Sequence, residues 1–276
     1  MFITGYQTQD LILKPAFQRA AIEAIEALAH ACAKGPALAI GGPAVQEGVL
    51  YNGYYILQGG KITATVLKHH LPNDAVFDER RVFASADVHG PYMVNGVRIG
   101  SPICEDAWHA DVAETLAETG AEILLVPTGS PYHRGKPNLR LNLMVSRVVE
   151  TELPLVYLNM VGGQDDQVFD GSSMVLNRGG HLALQLPQWP SSIRPRWQAK
   201  RPSRPPPFSN LAPTSPLGRR LFFYRGSHAR CDLFGIKTNG VHQLRMRHGA
   251  VCIFQIETGC SDRSQRVRDL GGYRFG

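Results

Sequence analysis

The chain has 276 residues, of which 43% are hydrophobic and 19% charged, a composition typical of an ordinary globular protein. Its five cysteines are odd in number and show no CxxC spacing. This argues against a disulfide framework or a zinc site and predicts a reducing, cytoplasmic environment. No apolar run approaches the roughly 20 residues that span a bilayer, and no signal-peptide pattern opens the chain, so we expect no membrane association.

The net charge of +6 hides a strong asymmetry along the chain. Residues 1–185 carry 13 Lys/Arg and 19 Asp/Glu, a net charge of −6, whereas residues 186–276 carry 16 Lys/Arg and 4 Asp/Glu, a net charge of +12. A basic tail of this kind can bind nucleic acid, and it can also arise from a shifted reading frame. The Arg- and Pro-rich composition, with Pro205-Pro206-Pro207, favours a shifted frame, so nucleic acid is not an expected partner.

Hydrophobic periodicity predicts the elements in chain order. Apolar residues at helical spacing predict helices over residues 16–33, 111–117 and 139–150. Shorter apolar or alternating runs predict strands over residues 37–40, 54–57, 62–67, 94–99, 123–126, 155–159 and 172–177. The segment Gln58-Gly59-Gly60-Lys61 predicts a hairpin turn. Strands that alternate with helices, together with a hairpin, predict an α/β fold built on a layered sheet.

Cys104 lies between a predicted strand and the helix predicted over residues 111–117. Amide hydrogens at the start of a helix favour a thiolate, which makes Cys104 a candidate nucleophile with a raised thiolate fraction. A buried structural cysteine is the alternative interpretation, and the residues near Cys104 do not decide between the two.

Motifs spread over residues 1 to about 185 favour the nucleophile over the structural cysteine. They are Thr4-Gly5-Tyr6, Lys68-His69-His70-Leu71-Pro72-Asn73, Val76-Phe77-Asp78-Glu79-Arg80, Ile103-Cys104-Glu105-Asp106, Ser130-Pro131-Tyr132-His133-Arg134-Gly135-Lys136, and Phe169-Asp170-Gly171-Ser172-Ser173. In this order they resemble the glutamine-hydrolysing amidase domain of glutamine-dependent NAD synthetases, in the nitrilase (carbon–nitrogen hydrolase) superfamily. The resemblance implies a nitrilase-like αββα sandwich.

The resemblance also implies a set of site residues. Cys104 matches the nucleophile, Lys68 the lysine that stabilises the oxyanion, and Glu79 an acid that orients this lysine. Lys68 could otherwise be a solvated lysine at a strand end, and Glu79 a surface partner of a neighbouring arginine. The predicted substrate contacts are Ser130, Tyr132 and Glu105.

Other polar residues of the motifs are expected to be structural. Asn159, Gln164 and Asp170 are expected to hold loops through side-chain hydrogen bonds. His69 and His70 resemble a metal pair, but adjacent strand residues face opposite sides, so no metal site is predicted.

The sequence departs from the family at several positions. Asp74, Gly129 and Met160 stand where tyrosine, alanine and glutamine are frequent. The general-base glutamate of the family precedes the segment at Met1, so we expect the first strand and this base to lie outside the chain. Glu47 is a weak candidate to replace the base.

The expected organisation follows from where the resemblance ends. Residues 1–186 are expected to form a hydrolase domain truncated at its N-terminus, and residues 187–276 an irregular basic tail. The synthetase domain, with its ATP and Mg sites, is expected to be absent, so this chain needs no cofactor. The resemblance further implies a homo-oligomer.

The expected function is hydrolysis of glutamine through a cysteine thioester, which supplies ammonia for NAD synthesis from nicotinic acid adenine dinucleotide. A catalytically impaired fragment is one alternative, and a nitrilase-type amidase acting on another small amide is a second. The segments around Glu79 and Ser130 argue against the second, because they are particular to the synthetase branch.

Overall fold

Three α-helices and two principal β-sheets make up the N-terminal part of the computed structural model, which describes residues 1–189, 219–227, 230–235 and 254–258. The helices are α1 (Pro15–Ala31), α2 (Ala110–Glu118) and α3 (Lys136–Thr151). The strands of residues 1–189 are β1 (Leu38–Gln46), β2 (Val49–Gln58), β3 (Lys61–Leu67), β4 (Tyr92–Val94), β5 (Val97–Gly100), β6 (Ile123–Thr128), β7 (Leu155–Asn159), β8 (Val161–Gln164), β9 (Gln167–Asp170), β10 (Met174–Leu176) and β11 (Leu182–Gln185).

The two principal sheets pack face to face. One has the strand order β1-β2-β3, and the other has the order β11-β10-β7-β6-β5-β4. Alternate residues of their strands point into a shared apolar core, which includes Tyr54 and Ile56 from the smaller sheet and Leu125, Val156 and Leu158 from the larger one. Because successive side chains of a strand point to opposite faces, one face of each sheet packs against the other sheet.

The remaining faces of the two sheets are covered by helices. Leu124 and Tyr157 point away from the other sheet and pack with Met144 and Val148 of α3 and residues of α2. On the opposite side Ile25 of α1 packs with outward-facing residues of β1 and β2. The layers are thus helix, sheet, sheet and helix, and this confirms the expected αββα sandwich of α/β class.

Most predicted elements are present, and two predictions were wrong in detail. The predicted strand over residues 94–99 is a hairpin, because Asn95 and Gly96 take positive φ values of 50° and 77° and form a two-residue turn between β4 and β5. The predicted strand over residues 37–40 continues to Gln46, since Gly41, Gly42 and Pro43 remain in the ladder with β2.

Strand direction determines where loops can form a site. β5, β6 and β7 are parallel neighbours, joined through α2 and α3. Their carboxyl ends therefore lie at one edge of the sheet, where ligands bind in open α/β sheets. Cys104 lies four residues after the end of β5, and Thr128 and Asn159 end β6 and β7.

The prediction of an irregular basic tail over residues 187–276 falls largely on residues outside the described ranges. Within it the structure describes three antiparallel strands, β12 (Arg219–Ser227), β13 (Arg230–Gly235) and β14 (Phe254–Thr258), in the order β13-β12-β14. None of the helices in the described ranges is long and apolar enough to cross a membrane.

A buried ion pair fixes α3 against the loops at this edge of the sheet. Arg140 is fully buried and donates from Nη1 to Asp170 Oδ1 at 2.6 Å. Its other donors reach Ser130 Oγ at 3.1 Å and the carbonyl oxygens of Ser130 and Pro131 at 2.7 and 3.0 Å. One guanidinium therefore binds both the oxygen atoms of the segment after β6 and the carboxylate at the end of β9.

Replacing Arg140 by methionine should lower the free energy of unfolding by about 3–5 kcal/mol, because the Asp170 carboxylate stays buried without its partner. Urea unfolding followed by circular dichroism measures the change. Arg19→Met in α1 is the matched control, because Arg19 is exposed and its loss should have little effect. Equal stability of the two variants would contradict the structural role given to Arg140.

Candidate active site

A cleft with an empty volume of about 560 Å³ lies where the two sheets meet the loops after β3, β5 and β6. Three residues singled out in the sequence, Lys68, Glu79 and Cys104, line it together. Other lining residues are Met1, Phe2, Tyr6, Asn52, Tyr54, Thr128, Gly129, Leu158 and Met160. Most of these are apolar, so the charged groups lie in an environment of low polarity.

Lys68 and Glu79 form a buried ion pair in this cleft. Lys68 Nζ lies 2.5 Å from Glu79 Oε2, and the two residues are 1% and 2% exposed. Asn52 Nδ2 donates to the other carboxylate oxygen at 2.9 Å, and the Asn52 carbonyl accepts from the Lys68 backbone N–H at 2.9 Å. Neither a solvated Lys68 nor a surface role for Glu79 agrees with this geometry.

Burial lowers the pKa of Lys68, and the charge and hydrogen bond of Glu79, together with the charge of Asp106, more than offset this, so that the net pKa lies above its usual value. The lysine is therefore held as a cation in a place from which water is excluded. A fixed positive charge of this kind can stabilise negative charge that develops on a substrate beside it.

Cys104 begins a short 3₁₀ turn, Cys104–Trp108, directly after the extended residue Ile103. Its φ of 52° is left-handed, an unfavourable conformation for a residue with a side chain, and such strain is typical of nucleophiles on sharp turns. The side chain is 8% exposed and faces the cleft. The backbone amide of Gly129 acts on this thiol and favours a lower pKa.

The expectation of a raised thiolate fraction at Cys104 was wrong. Burial raises the pKa of the Cys104 thiol, and Glu79 and Glu105 add to this, whereas Lys68 and the Gly129 amide act in the opposite direction without reversing the shift. The helix that would favour a thiolate, α2, begins only at Ala110. Cys104 is therefore a thiol at rest, and its reaction requires a base.

Asp106 joins the lysine segment to the cysteine segment. Its Oδ1 accepts from the His70 backbone N–H at 2.6 Å, and its Oδ2 accepts from the Ile103 backbone N–H at 3.0 Å. The residue is 2% exposed, and burial raises the pKa of its carboxyl group. Asp106 thereby fixes the chain positions just after Lys68 and just before Cys104 relative to each other.

The predicted substrate contacts Ser130, Tyr132 and Glu105 do not line this cleft. Ser130 is 4% exposed, and its hydroxyl accepts from Arg140. Tyr132 is 38% exposed and packs edge-on against Trp189, with ring centroids 5.0 Å apart. Glu105 is partly buried beside His109, with Oε1 and Nε2 3.7 Å apart.

Lys136 is a charged residue of this region that the sequence interpretation passed over. Its ammonium lies 4.3 Å from the centroid of the Trp108 ring, and Trp108 ends the turn that begins at Cys104. Burial, followed by the charge of Arg140, lowers the pKa of Lys136, while Cys104 and Glu105 act in the opposite direction. Its position at the end of the Ser130–Lys136 motif was the signal that could have identified it.

The predicted structural residues Asn159 and Gln164 hold loops as expected. Asn159 accepts from the Ser130 N–H at 2.8 Å and donates to the Gly171 carbonyl at 3.1 Å. Gln164 accepts from the Tyr6 N–H at 3.0 Å and donates to the Gln7 carbonyl at 2.8 Å. Asp170 also holds a loop, through Arg140.

Two of the residues that depart from the family pattern, Gly129 and Met160, lie next to each other. A Cβ placed on Gly129 would come within 2.9 Å of the Tyr6 ring and 3.1 Å of the Met160 sulfur. The glycine therefore makes room for the methionine side chain at the wall of the cleft. Glu47, the candidate for a replacement base, is exposed in the turn between β1 and β2 and does not line the cleft.

The N-terminal part of the chain is similar in sequence to known proteins. The family model for carbon-nitrogen hydrolase matches residues 1–194. A glutamine-dependent NAD(+) synthetase of Rhodobacter capsulatus is 57% identical over 193 residues, which cover 70% of this chain and 35% of that protein. This chain thus spans about a third of the length of the curated relatives that it matches.

Solved structures show the same fold. A glutamine-dependent NAD+ synthetase from Acinetobacter baumannii is similar with a TM-score of 0.63 and 33% identity, covering 68% of this chain and 36% of that one. An amidase of the nitrilase superfamily from Nesterenkonia is similar in fold, with a TM-score of 0.57 and 23% identity, covering 67% and 70% of the two chains. The chain belongs to the carbon–nitrogen hydrolase family, and the relatives to which it is similar include glutamine-dependent NAD synthetases.

Proposed function

We propose that the αββα domain hydrolyses the side-chain amide of glutamine, with Cys104 as the nucleophile. The observation that carries this proposal is the convergence of Cys104 with the buried Lys68–Glu79 pair on one largely apolar cleft. The similarity to relatives named glutamine-dependent NAD(+) synthetases supports glutamine as the amide.

In the first half of the reaction the base takes the proton of the Cys104 thiol as the sulfur bonds to the amide carbon, and an electron pair of the C=O bond moves to the amide oxygen. Lys68 stabilises this oxyanion, since it is held as a cation by Glu79 and cannot be hydrated in the cleft. Collapse breaks the C–N bond, the base gives its proton to the leaving nitrogen, ammonia departs, and a thioester remains. Water then gives a proton to the base and attacks the thioester carbon; the C–S bond breaks, the sulfur regains a proton from the base, and glutamate is released.

These steps need a base, because the Cys104 thiol is protonated at rest. Among the described residues Glu79 is the one carboxylate that lines the cleft, and both of its oxygens are bound, to Lys68 and Asn52. Met1 and Phe2 line the same cleft, so we propose that a glutamate added directly before Met1 would lie within reach of Cys104. This is the position at which the family resemblance implies a base.

Opposite charges near Cys104 suit the two charged groups of free glutamine. Lys136 offers a cation for the α-carboxylate, and Glu105 offers an anion for the α-ammonium group. Arg140 holds Ser130 and Pro131, which precede this segment, in a fixed position. Tyr132, which is 38% exposed and packs against Trp189, is a further candidate contact.

The ammonia released is proposed to serve NAD synthesis from nicotinic acid adenine dinucleotide, which fits relatives named glutamine-dependent NAD(+) synthetases. The ATP-dependent half of that reaction belongs to a synthetase domain, to which none of the described residues is assigned. Assembly of the domain into a homo-oligomer is part of the same proposal.

The first test concerns the nucleophile and the base. Extending the chain by a strand that ends in glutamate directly before Met1 should raise glutamine hydrolysis by about 10²–10⁴-fold, the usual contribution of a positioned base. Release of glutamate measures the rate, and a glutamine in place of the added glutamate is the control for the strand itself.

Cys104→Ser in the extended chain should abolish the gain, whereas Cys32→Ser should keep it, because Cys32 lies beyond the end of α1 and not at the cleft. Loss of activity in both cysteine variants, or in neither, would refute Cys104 as the nucleophile. High turnover without the extension would show that another residue acts as the base.

Thiol labelling tests the protonation state of Cys104. Because burial raises its pKa, the thiolate fraction at neutral pH is small, so alkylation by iodoacetamide should be slow at pH 7. The rate should still rise with pH above about 9.5, where the thiolate of an unperturbed cysteine, with a pKa of about 8.5, approaches saturation. Peptide mass spectrometry follows the label, with N-acetylcysteine as the reference, and a rate that levels off below pH 8 would contradict the direction of the shift.

Recognition of the charged groups of glutamine is tested by comparing glutamine with an uncharged amide. Lys136→Met should raise the KM for glutamine by about 10- to 100-fold, the value of one charge-assisted contact, with a smaller change in kcat. Hydrolysis of propionamide, which lacks both charged groups, should be unchanged. Lys61→Met on the exposed side of β3 is the matched control. Equal losses of activity on glutamine and on propionamide would favour an amidase that acts on another small amide.

A further inference from the structure

A cluster of histidine and carboxylate side chains lies outside the cleft, on the far side of the segment that follows Lys68. One ring nitrogen each from His69 and His70 and one carboxylate oxygen of Asp111 all lie within 4.8 Å of one another. The expectation that the two histidines face opposite sides of a strand was wrong, because β3 ends at Leu67. Beyond it the two rings meet edge to face, with centroids 4.6 Å apart.

Each histidine is held in a defined orientation. His69 Nδ1 lies 2.5 Å from the Ala86 carbonyl oxygen. Because a carbonyl only accepts hydrogen bonds, Nδ1 carries the proton and Nε2 keeps its lone pair. A backbone carbonyl in this place is the usual outer partner of a metal-bound histidine.

His70 is directed at Asp111. Its Nε2 lies 2.9 and 3.0 Å from the two carboxylate oxygens, its backbone N–H donates to Asp106, and its ring stacks on His109 at 4.0 Å between centroids. An ordinary ion pair between His70 and Asp111 explains this contact, but it does not explain why His69 lies close to the same carboxylate.

We infer that His69, His70 and Asp111 form a binding site for a divalent transition-metal ion of the zinc class. Two imidazole nitrogens and one carboxylate oxygen suit zinc, nickel or copper, whereas magnesium and calcium take oxygen ligands. Bonds of about 2.0–2.2 Å place the ligand atoms of a tetrahedral ion about 3.3–3.6 Å apart. The His70 nitrogen and the Asp111 oxygens, 2.9 and 3.0 Å apart, lie slightly closer than this, and all three ligand atoms lie within 4.8 Å, so small side-chain rotations complete the site. A water molecule takes the fourth position.

The cluster is joined to the candidate active site through the backbone. His69 and His70 directly follow Lys68, and Asp111 lies in the first turn of α2, seven residues after Cys104. An ion at this site cross-links the two chain segments that Asp106 already connects. Its role is therefore to stabilise the relative position of these segments, and it takes no part in the reaction itself.

The test measures zinc binding to the full chain by equilibrium dialysis and by thermal unfolding. The wild type should bind one Zn²⁺ more than Asp111→Asn and one more than His69→Gln. At a Zn²⁺ concentration 100-fold above the dissociation constant, its unfolding midpoint should rise by about 5 °C more than those of the two variants. Mg²⁺ should not produce this difference.

His30→Gln is the matched control, since His30 is exposed at the end of α1 and its loss should leave zinc binding unchanged. Zinc bound by other histidines or cysteines of the chain is common to all variants and cancels in the comparison. His69→Gln leaves the His70–Asp111 pair intact and so separates a metal site from an ion pair. Equal zinc binding and equal midpoint shifts in the wild type and both site variants would overturn the proposal, whatever Asp111→Asn does to stability without zinc.

Discussion

The ion pair between Lys68 and Glu79 is the interaction on which the candidate site depends. Both groups are almost completely removed from water, and neither could remain charged there alone. The pair is stable because Asn52 binds the second oxygen of Glu79 while its own carbonyl fixes the Lys68 backbone. A buried pair of this kind contributes little net stability, but it holds a positive charge at a fixed point without a hydration shell.

The same principle applies to Asp106 and Arg140, two further buried charged residues of this region. Asp106 binds main-chain N–H groups of the loops after β3 and β5, and Arg140 binds main-chain carbonyls of the loop after β6. These loops have no regular hydrogen-bonding partners of their own, so a buried side chain must supply them. The apolar core between the sheets sets the overall shape, whereas these polar contacts set the position of Cys104 and of the segment around Ser130.

The protonation of Cys104 follows from this balance. The Lys68 cation favours a thiolate, but it is neutralised by Glu79 at 2.5 Å, and burial then dominates the pKa of the thiol. In the proposed reaction Cys104 therefore depends on a base at the moment of attack. Lys68 is proposed to act on the oxyanion that forms, so activation of the thiol is a separate step.

The sequence determined the layered α/β fold, the family, and the membership of Lys68, Glu79 and Cys104 in one site. It could do so because strand alternation and helical spacing are local patterns, and because the motifs occur in family order. Local patterns also identified Asn159 and Gln164 as residues that hold loops.

Only the tertiary structure decided how these groups act on one another. The pKa of Cys104 depends on burial and on Glu79, which is 25 positions away in the chain, so the local rule for helix starts gave the wrong direction. The contact of His69 with His70 depended on where β3 ends, and the commitment of Ser130 to Arg140 depended on the packing of α3. Long-range distances and burial decide these properties, and neither can be read from spacing along the chain.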